Sequence, residues 1–221
     1  MMDFSAFMEH LWLARYVILK GLGVTVSISL LAIVIGSVFG VFVGLALTYG
    51  ALPLRILVRT YTDIIRGTPV LVLVLASYYV SSALSFNLGP FSAGIIALAI
   101  FCSSHVGEIV RGGLQAIPLG QTEAAKAIGL TFSQTFTSVL WPQALRQFLP
   151  AWVNTAAEMV KASTLLSVIG VAELLLRTQE IISRNFMSLQ FYFFAGLLYF
   201  VINFAIERFG KYVERKTAVP G

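Results

Sequence analysis

Few residues in this chain can do chemistry, because only 10 Asp and Glu and 15 Lys and Arg occur among 221 positions. Asn154, Glu158 and Lys161 stand at i, i+4 and i+7, so on a helix they share one face. Two readings of that face stay open. Glu158 could line a cavity and meet an ammonium or other cationic group of a ligand, helped by Asn154 and Ser163, with Lys161 and Thr164 beside them. Alternatively, Glu158 and Lys161 neutralise each other and only fix helix packing. Glu108 with Arg111, and Asp63 with Arg66, are each spaced i, i+3 and are expected to form structural ion pairs. His105 lies one turn from Glu108, but the only other histidine, His10, is far away in sequence, so no metal site is expected.

The elements that must hold these residues are apolar. Hydrophobic residues make up 58% of the chain and charged ones 11%, against about 25% charged in a typical soluble domain. There is too little polar surface to face water all round, which argues for a membrane protein. Charge-free runs mark five expected helical spans at about 21–47, 61–85, 91–110, 147–169 and 189–209. The fourth is expected in spite of Glu158 and Lys161, because ionisable residues inside a membrane usually face a cavity. Asn87-Leu88-Gly89-Pro90 reads as the turn between the second and third spans. The expected fold is therefore an all-α integral membrane protein.

Its orientation follows from the basic residues. With the C-terminus inside, Arg55, Arg59, Arg66, Arg111, Lys126, Arg146, Arg208, Lys211, Arg215 and Lys216 fall on the inner side. Arg15, Lys20, Lys161, Arg177 and Arg184 fall outside or in the fourth span. Ten against five favours N-terminus out and C-terminus in. Residues 1–20 read either as a helix in the outer interface or as a frayed start to the first span. Residues 216–221 read as a tail. Val171 to Arg184 reads as an amphipathic outer helix. Met1-Met2-Asp3-Phe4 lacks the basic flank of a cleavable signal peptide. The single cysteine, Cys102, lies in an apolar run and reads as a packing residue. Ala32, Gly36, Gly40 and Gly44 form a stripe of small residues that lets another helix approach, either within the chain or across a dimer.

The stretch between the third and fourth spans carries the clearest signals. Pro118 suits a helix start and Gly129 a left-handed stop. Between them runs a helix of about ten residues, too short and too charged to cross a membrane. Glu123 and Lys126 charge it, and Ala124, Ala125 and Ala127 keep it slim. Thr131 and Gln134 read as a capping box that opens a second short helix, which Trp141-Pro142 is expected to end. Such a helix is shaped for a groove on a partner, with a plain surface hairpin as the alternative. No phosphate-binding G-x-x-x-x-G-K-[ST] occurs; the one Gly-Lys pair, Gly210-Lys211, is followed by Tyr212. An energy-driven role would therefore need a partner chain.

Several of these stretches together resemble the permease subunits of ATP-binding cassette importers, and more narrowly the polar amino-acid importers. They are Arg66-Gly67-Thr68-Pro69; Gly107-Glu108-Ile109-Val110-Arg111-Gly112-Gly113; Ile117-Pro118-Leu119-Gly120-Gln121-Thr122-Glu123-Ala124-Ala125; Gly129 with Trp141-Pro142; and Pro142-Gln143-Ala144-Leu145-Arg146 with Leu149-Pro150. The resemblance runs from about Gly21 to Arg215 and centres on Glu123-Ala124-Ala125, which looks like the family's "EAA" signature.

The resemblance implies a permease domain over 21–215, with a cytoplasmic coupling loop at about 112–142, in a bacterial cytoplasmic membrane. It implies two ATP-binding subunits docked on Glu123 to Gly129, a second permease chain, identical or paralogous, and an external solute-binding protein. The ligand would be a polar amino acid or a derivative such as an opine. No cofactor and no enzymatic activity of the chain's own are expected. Where the family often has Lys-Asp-Thr-Ser-Leu, this chain reads Lys161-Ala162-Ser163-Thr164-Leu165, with Glu158 one turn earlier. Two rivals from other classes are a stand-alone secondary transporter or channel, which would give the EAA segment no purpose, and a membrane-embedded enzyme, which would need more clustered carboxylates and histidines.

Overall fold

The computed structural model describes residues 4–86 and 88–217. The start of the chain (1–3), Asn87 of the anticipated turn and the end of the expected tail (218–221) lie outside the described residues. All the described elements are helical: α1 Phe4–Tyr49, α2 Leu52–Gly67, α3 Val70–Ala83, α4 Pro90–Gln115, α5 Leu119–Ala127, α6 Phe132–Thr135, α7 Trp141–Ala162, α8 Leu174–Asn185 and α9 Ser188–Thr217. A π-helical turn, Phe136–Leu140, joins α6 to α7, and a 3-10 segment, Ser163–Ile169, follows α7. Three helices, α1, α4 and α9, are long and apolar enough to cross a membrane. Counting each of two bent helix pairs as one span brings the number to as many as five.

The core is built on α1 against α4. Four-residue spacing puts Ala32, Gly36, Gly40 and Gly44 on one face of α1, and that face meets α4. A Cβ on Gly40 would lie 2.5 Å from the Val106 Cβ, and one on Gly44 would lie 2.6 Å from the Val110 Cβ. The stripe of small residues thus serves packing within the chain. Cys102 is buried in the same cluster as Val106, Val110, Phe148 and Met159. Residues 4–19 are not a separate element. They continue α1, a helix of 46 residues, which at 1.5 Å per residue is about 69 Å long, more than twice the hydrocarbon core of a bilayer. Ala14 and Ile18 of that extension pack against Leu174 and Phe191.

Two expectations about helix ends need correction. The second span is not one helix over 61–85. It is α2 and α3, bent by 108° at Thr68-Pro69. Pro69 cannot donate to a helical carbonyl and pushes Thr68 out of the α region, and Thr68 is extended, at φ −98° and ψ 132°. Nor does Trp141-Pro142 end a helix. Pro142 sits in the first turn of α7, where a missing N–H costs nothing, and the π turn passes the chain helically from α6 into α7.

Candidate functional site

Three groups of residues matter, and each is positioned by a different feature of the chain. The first is the hairpin between α4 and α7. Leu119–Ala127 forms a nine-residue helix with Pro118 before it, and Gly129 turns left-handed at φ +80°. A residue with a Cβ would be strained there, whereas Gly is not. Thr131 and Gln134 then form a reciprocal capping box. Glu123, Ala124 and Lys126 face outward, while Ala125 is 4% exposed and turns inward. A second contact braces the hairpin: Gln143 Nε2 donates to Gln121 Oε1 at 3.3 Å. Beside the charged face, Leu119 is 80% exposed and Ile128 77%. These two exposed apolar residues, at the two ends of the helix, were missed in the sequence, where the charges drew attention. Their signal was there, as leucine and isoleucine at the two ends of a helix too polar to be a span.

The second group ties α4 to α2. Glu108 accepts from Arg111 Nη2 at 2.7 Å and Nε at 3.0 Å, and from Arg59 Nη1 at 2.7 Å. Two guanidinium groups on one carboxylate make a charge-assisted clamp between α2 and α4. The expected Asp63–Arg66 pair is absent: no ion pair within 4.0 Å joins them among the described residues. Asp63 lies instead 4.0 Å from Arg59, one turn before it. Arg59 was not singled out in the sequence, because its partner Glu108 lies 49 residues away.

The third group is the charged face of α7. Asn154, Glu158, Lys161 and Thr164 line one surface pocket of about 520 Å³, closed by Val70, Ala162 and Leu165. Glu158 and Lys161 are exposed, and no ion pair within 4.0 Å joins them among the described residues. That leaves a carboxylate and an ammonium, both exposed, on one face. Ser163 does not belong to this pocket. It is fully buried, and its hydroxyl donates to the Val160 carbonyl at 2.8 Å. Ser163 stands two residues after Lys161 and five after Glu158, a spacing that turns it off the face those two share on a helix. The rest of α7 is packed, with Trp152 Nε1 donating to Ser37 Oγ of α1 at 2.8 Å.

His105 has its Nδ1 3.1 Å from the Phe101 carbonyl and its ring against Phe101. A fourth feature went unnoticed in the sequence. Glu173, fully buried, accepts from the backbone N–H of Leu175 and Leu176 and from the Tyr199 hydroxyl. Together with Thr25 Oγ1, which accepts from Leu174 N–H at 3.1 Å, it ties α1, α8 and α9 at one point.

Comparison with known proteins gives a consistent answer. Residues 36–219 match the family described as "Binding-protein-dependent transport system inner membrane component". The arginine transport system permease protein of Bacillus subtilis is 32% identical over 97% of both chains. The glutamine transport system permease protein of Escherichia coli is 32% identical over 98% of both. Among solved structures, a chain in the crystal structure of an amino acid ABC transporter with histidines superimposes with a TM-score of 0.88 at 33% identity, covering 98% of this chain and 99% of that one.

Proposed function

The chain belongs to the binding-protein-dependent transport system inner membrane component family, and from that premise we propose that it moves polar amino acids, or derivatives such as opines, across a bacterial cytoplasmic membrane. As a permease of this family it is a multi-pass membrane subunit and not an enzyme; ATP hydrolysis belongs to separate subunits. In the proposed arrangement two such ATP-binding subunits dock on the hairpin, a second permease chain completes the pore, and an external solute-binding protein delivers the ligand. The permease domain runs over 21–215, between a leading segment at 1–20 and a tail at 216–221. Five spans cross the membrane, N-terminus out and C-terminus in, with α1, the bent pair α2–α3, α4, α7 and α9 as the crossing elements. That path puts the hairpin and the C-terminal end of α9 on one side and α8 on the other.

The single observation that carries this reading is the hairpin itself. On this nine-residue helix the outward side chains of Glu123 and Lys126 make no hydrogen bond or ion pair among the described residues, and Leu119 and Ile128 at its ends are exposed. Glu123, Ala124, Ala125, Lys126 and Gly129 would take the stroke of the ATPase, and α4 and α7, at its two ends, would carry it to the spans. Glu158 would meet the ligand ammonium, with Asn154, Lys161 and Thr164 around it. A stand-alone transporter or channel would leave the hairpin without a task.

Co-purification tests the reading. The partner ATPase subunits should come down with it in detergent, and much less of them with Glu123→Arg or Gly129→Val. Equal recovery with both variants would overturn the docking role of the hairpin.

A further inference from the structure

Below the pocket at Glu158, toward the hairpin end of α7, lies another of about 280 Å³, lined by Pro150, Asn154, Glu207, Lys211 and Glu214. Its floor is fixed by a close helix contact. A Cβ on Gly210 would lie 2.5 Å from both methyl groups of Val153, so α9 can pass α7 at that distance only with glycine there. Each helix carries a charged stripe of the same spacing, and of the α7 stripe Asn154 alone lines this pocket. Asn154, Glu158 and Lys161 stand at i, i+4 and i+7 on α7, and Glu207, Lys211 and Glu214 stand at i, i+4 and i+7 on α9. Asn154 belongs to both pockets.

Each pocket therefore carries both signs of charge. Glu207 and Lys211, one turn apart, form no ion pair within 4.0 Å among the described residues, so they do not cancel each other. An amino acid is a zwitterion, and a pocket with separate anionic and cationic groups can hold its two ends at once by charge-assisted hydrogen bonds. The volume is at the lower end for small-molecule sites, which suits one amino acid. Resting on the amino-acid permease reading above, we propose that this pocket is a second station for the transported amino acid, between the Glu158 pocket and the hairpin side. Lys211 takes the carboxylate, Glu207 takes the ammonium, and Asn154 contacts the ligand as it passes from one pocket to the other. A phosphatidylethanolamine headgroup offers the same pair of charges and is separated from the amino acid in the test.

The test uses the whole transporter, with its ATPase subunits and binding protein, in phosphatidylcholine vesicles made with and without phosphatidylethanolamine. The hairpin side and ATP are enclosed. Uptake of labelled L-glutamine and L-arginine from outside is measured against rising enclosed, unlabelled amino acid. Enclosed amino acid should slow uptake by the wild type. In a Glu207→Gln, Lys211→Ala variant, maximal uptake should fall and the enclosed concentration for half inhibition should rise about tenfold or more, the loss expected for a hydrogen bond to a charged group. Superimposable inhibition curves would overturn the proposal, as would a shift that follows phosphatidylethanolamine content instead of amino acid. Should the variant fail to assemble, the wild type decides: enclosed glutamine analogues lacking the α-amino group or the α-carboxylate charge should inhibit about tenfold more weakly, and equal inhibition would contradict the two-ended grip. If the wild type takes up neither amino acid from outside, the permease reading itself fails and takes this station with it.

Discussion

Glu158 and Glu173 are both carboxylates near helix ends, yet their surroundings give them opposite tasks. Glu158 is exposed at the pocket with Lys161 out of ion-pair reach. It can therefore exchange water for a ligand ammonium. The Glu158→Gln variant should raise the half-saturating amino-acid concentration about tenfold, since it exchanges a charge-assisted hydrogen bond for a neutral one; unchanged uptake with unchanged selectivity would remove Glu158 from the ligand path. Glu173 has no exposure to spare. It caps α8 and holds Tyr199, so Glu173→Ala should act on stability, by about 1–2 kcal/mol for the lost cap. Thermal unfolding of the purified complex measures it, and a melting temperature equal to the wild type would refute the capping role. The α7 face was legible because i, i+4, i+7 spacing is a local pattern. Glu173 was not, because its partners Thr25 and Tyr199 lie in other helices and no local spacing links them. Ser163 was grouped with the α7 face although its spacing, two from Lys161 and five from Glu158, turns it away from it.

The elements show what periodicity and length can and cannot decide. The long helices α1, α4 and α9 follow from runs of uncharged residues, and the hairpin helix from its Pro118 start and Gly129 stop. The bend between α2 and α3 was masked by hydropathy, which is indifferent to direction, although Thr68-Pro69 carried the signal. Pro142 misled in the other direction, since a proline in a first helical turn starts a helix rather than ending one. The packing of α1 on α4 yields a prediction at this scale. Gly40→Leu must displace Val106 or part the two helices. Overpacking of that kind costs about 1–3 kcal/mol and should lower the melting temperature of the complex in detergent. The same substitution at Gly23, where a Cβ meets nothing within 4 Å, should be tolerated; equal effects at both positions would contradict the close contact.

For the molecule as a whole, the proposed five-span path fixes which ends share a side. Cysteines placed at Lys126 in the hairpin and at Arg184 on α8, in a Cys102→Ala background, should react with an impermeant thiol reagent from opposite faces of the membrane. Labelling of both from one face would break the topology. The same path puts the coupling surface and the ligand face at the two ends of α7, so one helix can join ATPase movement to the pocket. The central claim, that this chain is the membrane part of an ATP-driven amino-acid importer, is tested most directly by labelled amino-acid uptake into vesicles holding the permease, its ATPase subunits and its binding protein. Uptake should require hydrolysable ATP and should collapse when Glu123 is replaced by Arg. Uptake by the permease alone, without ATPase or ATP, would contradict the account.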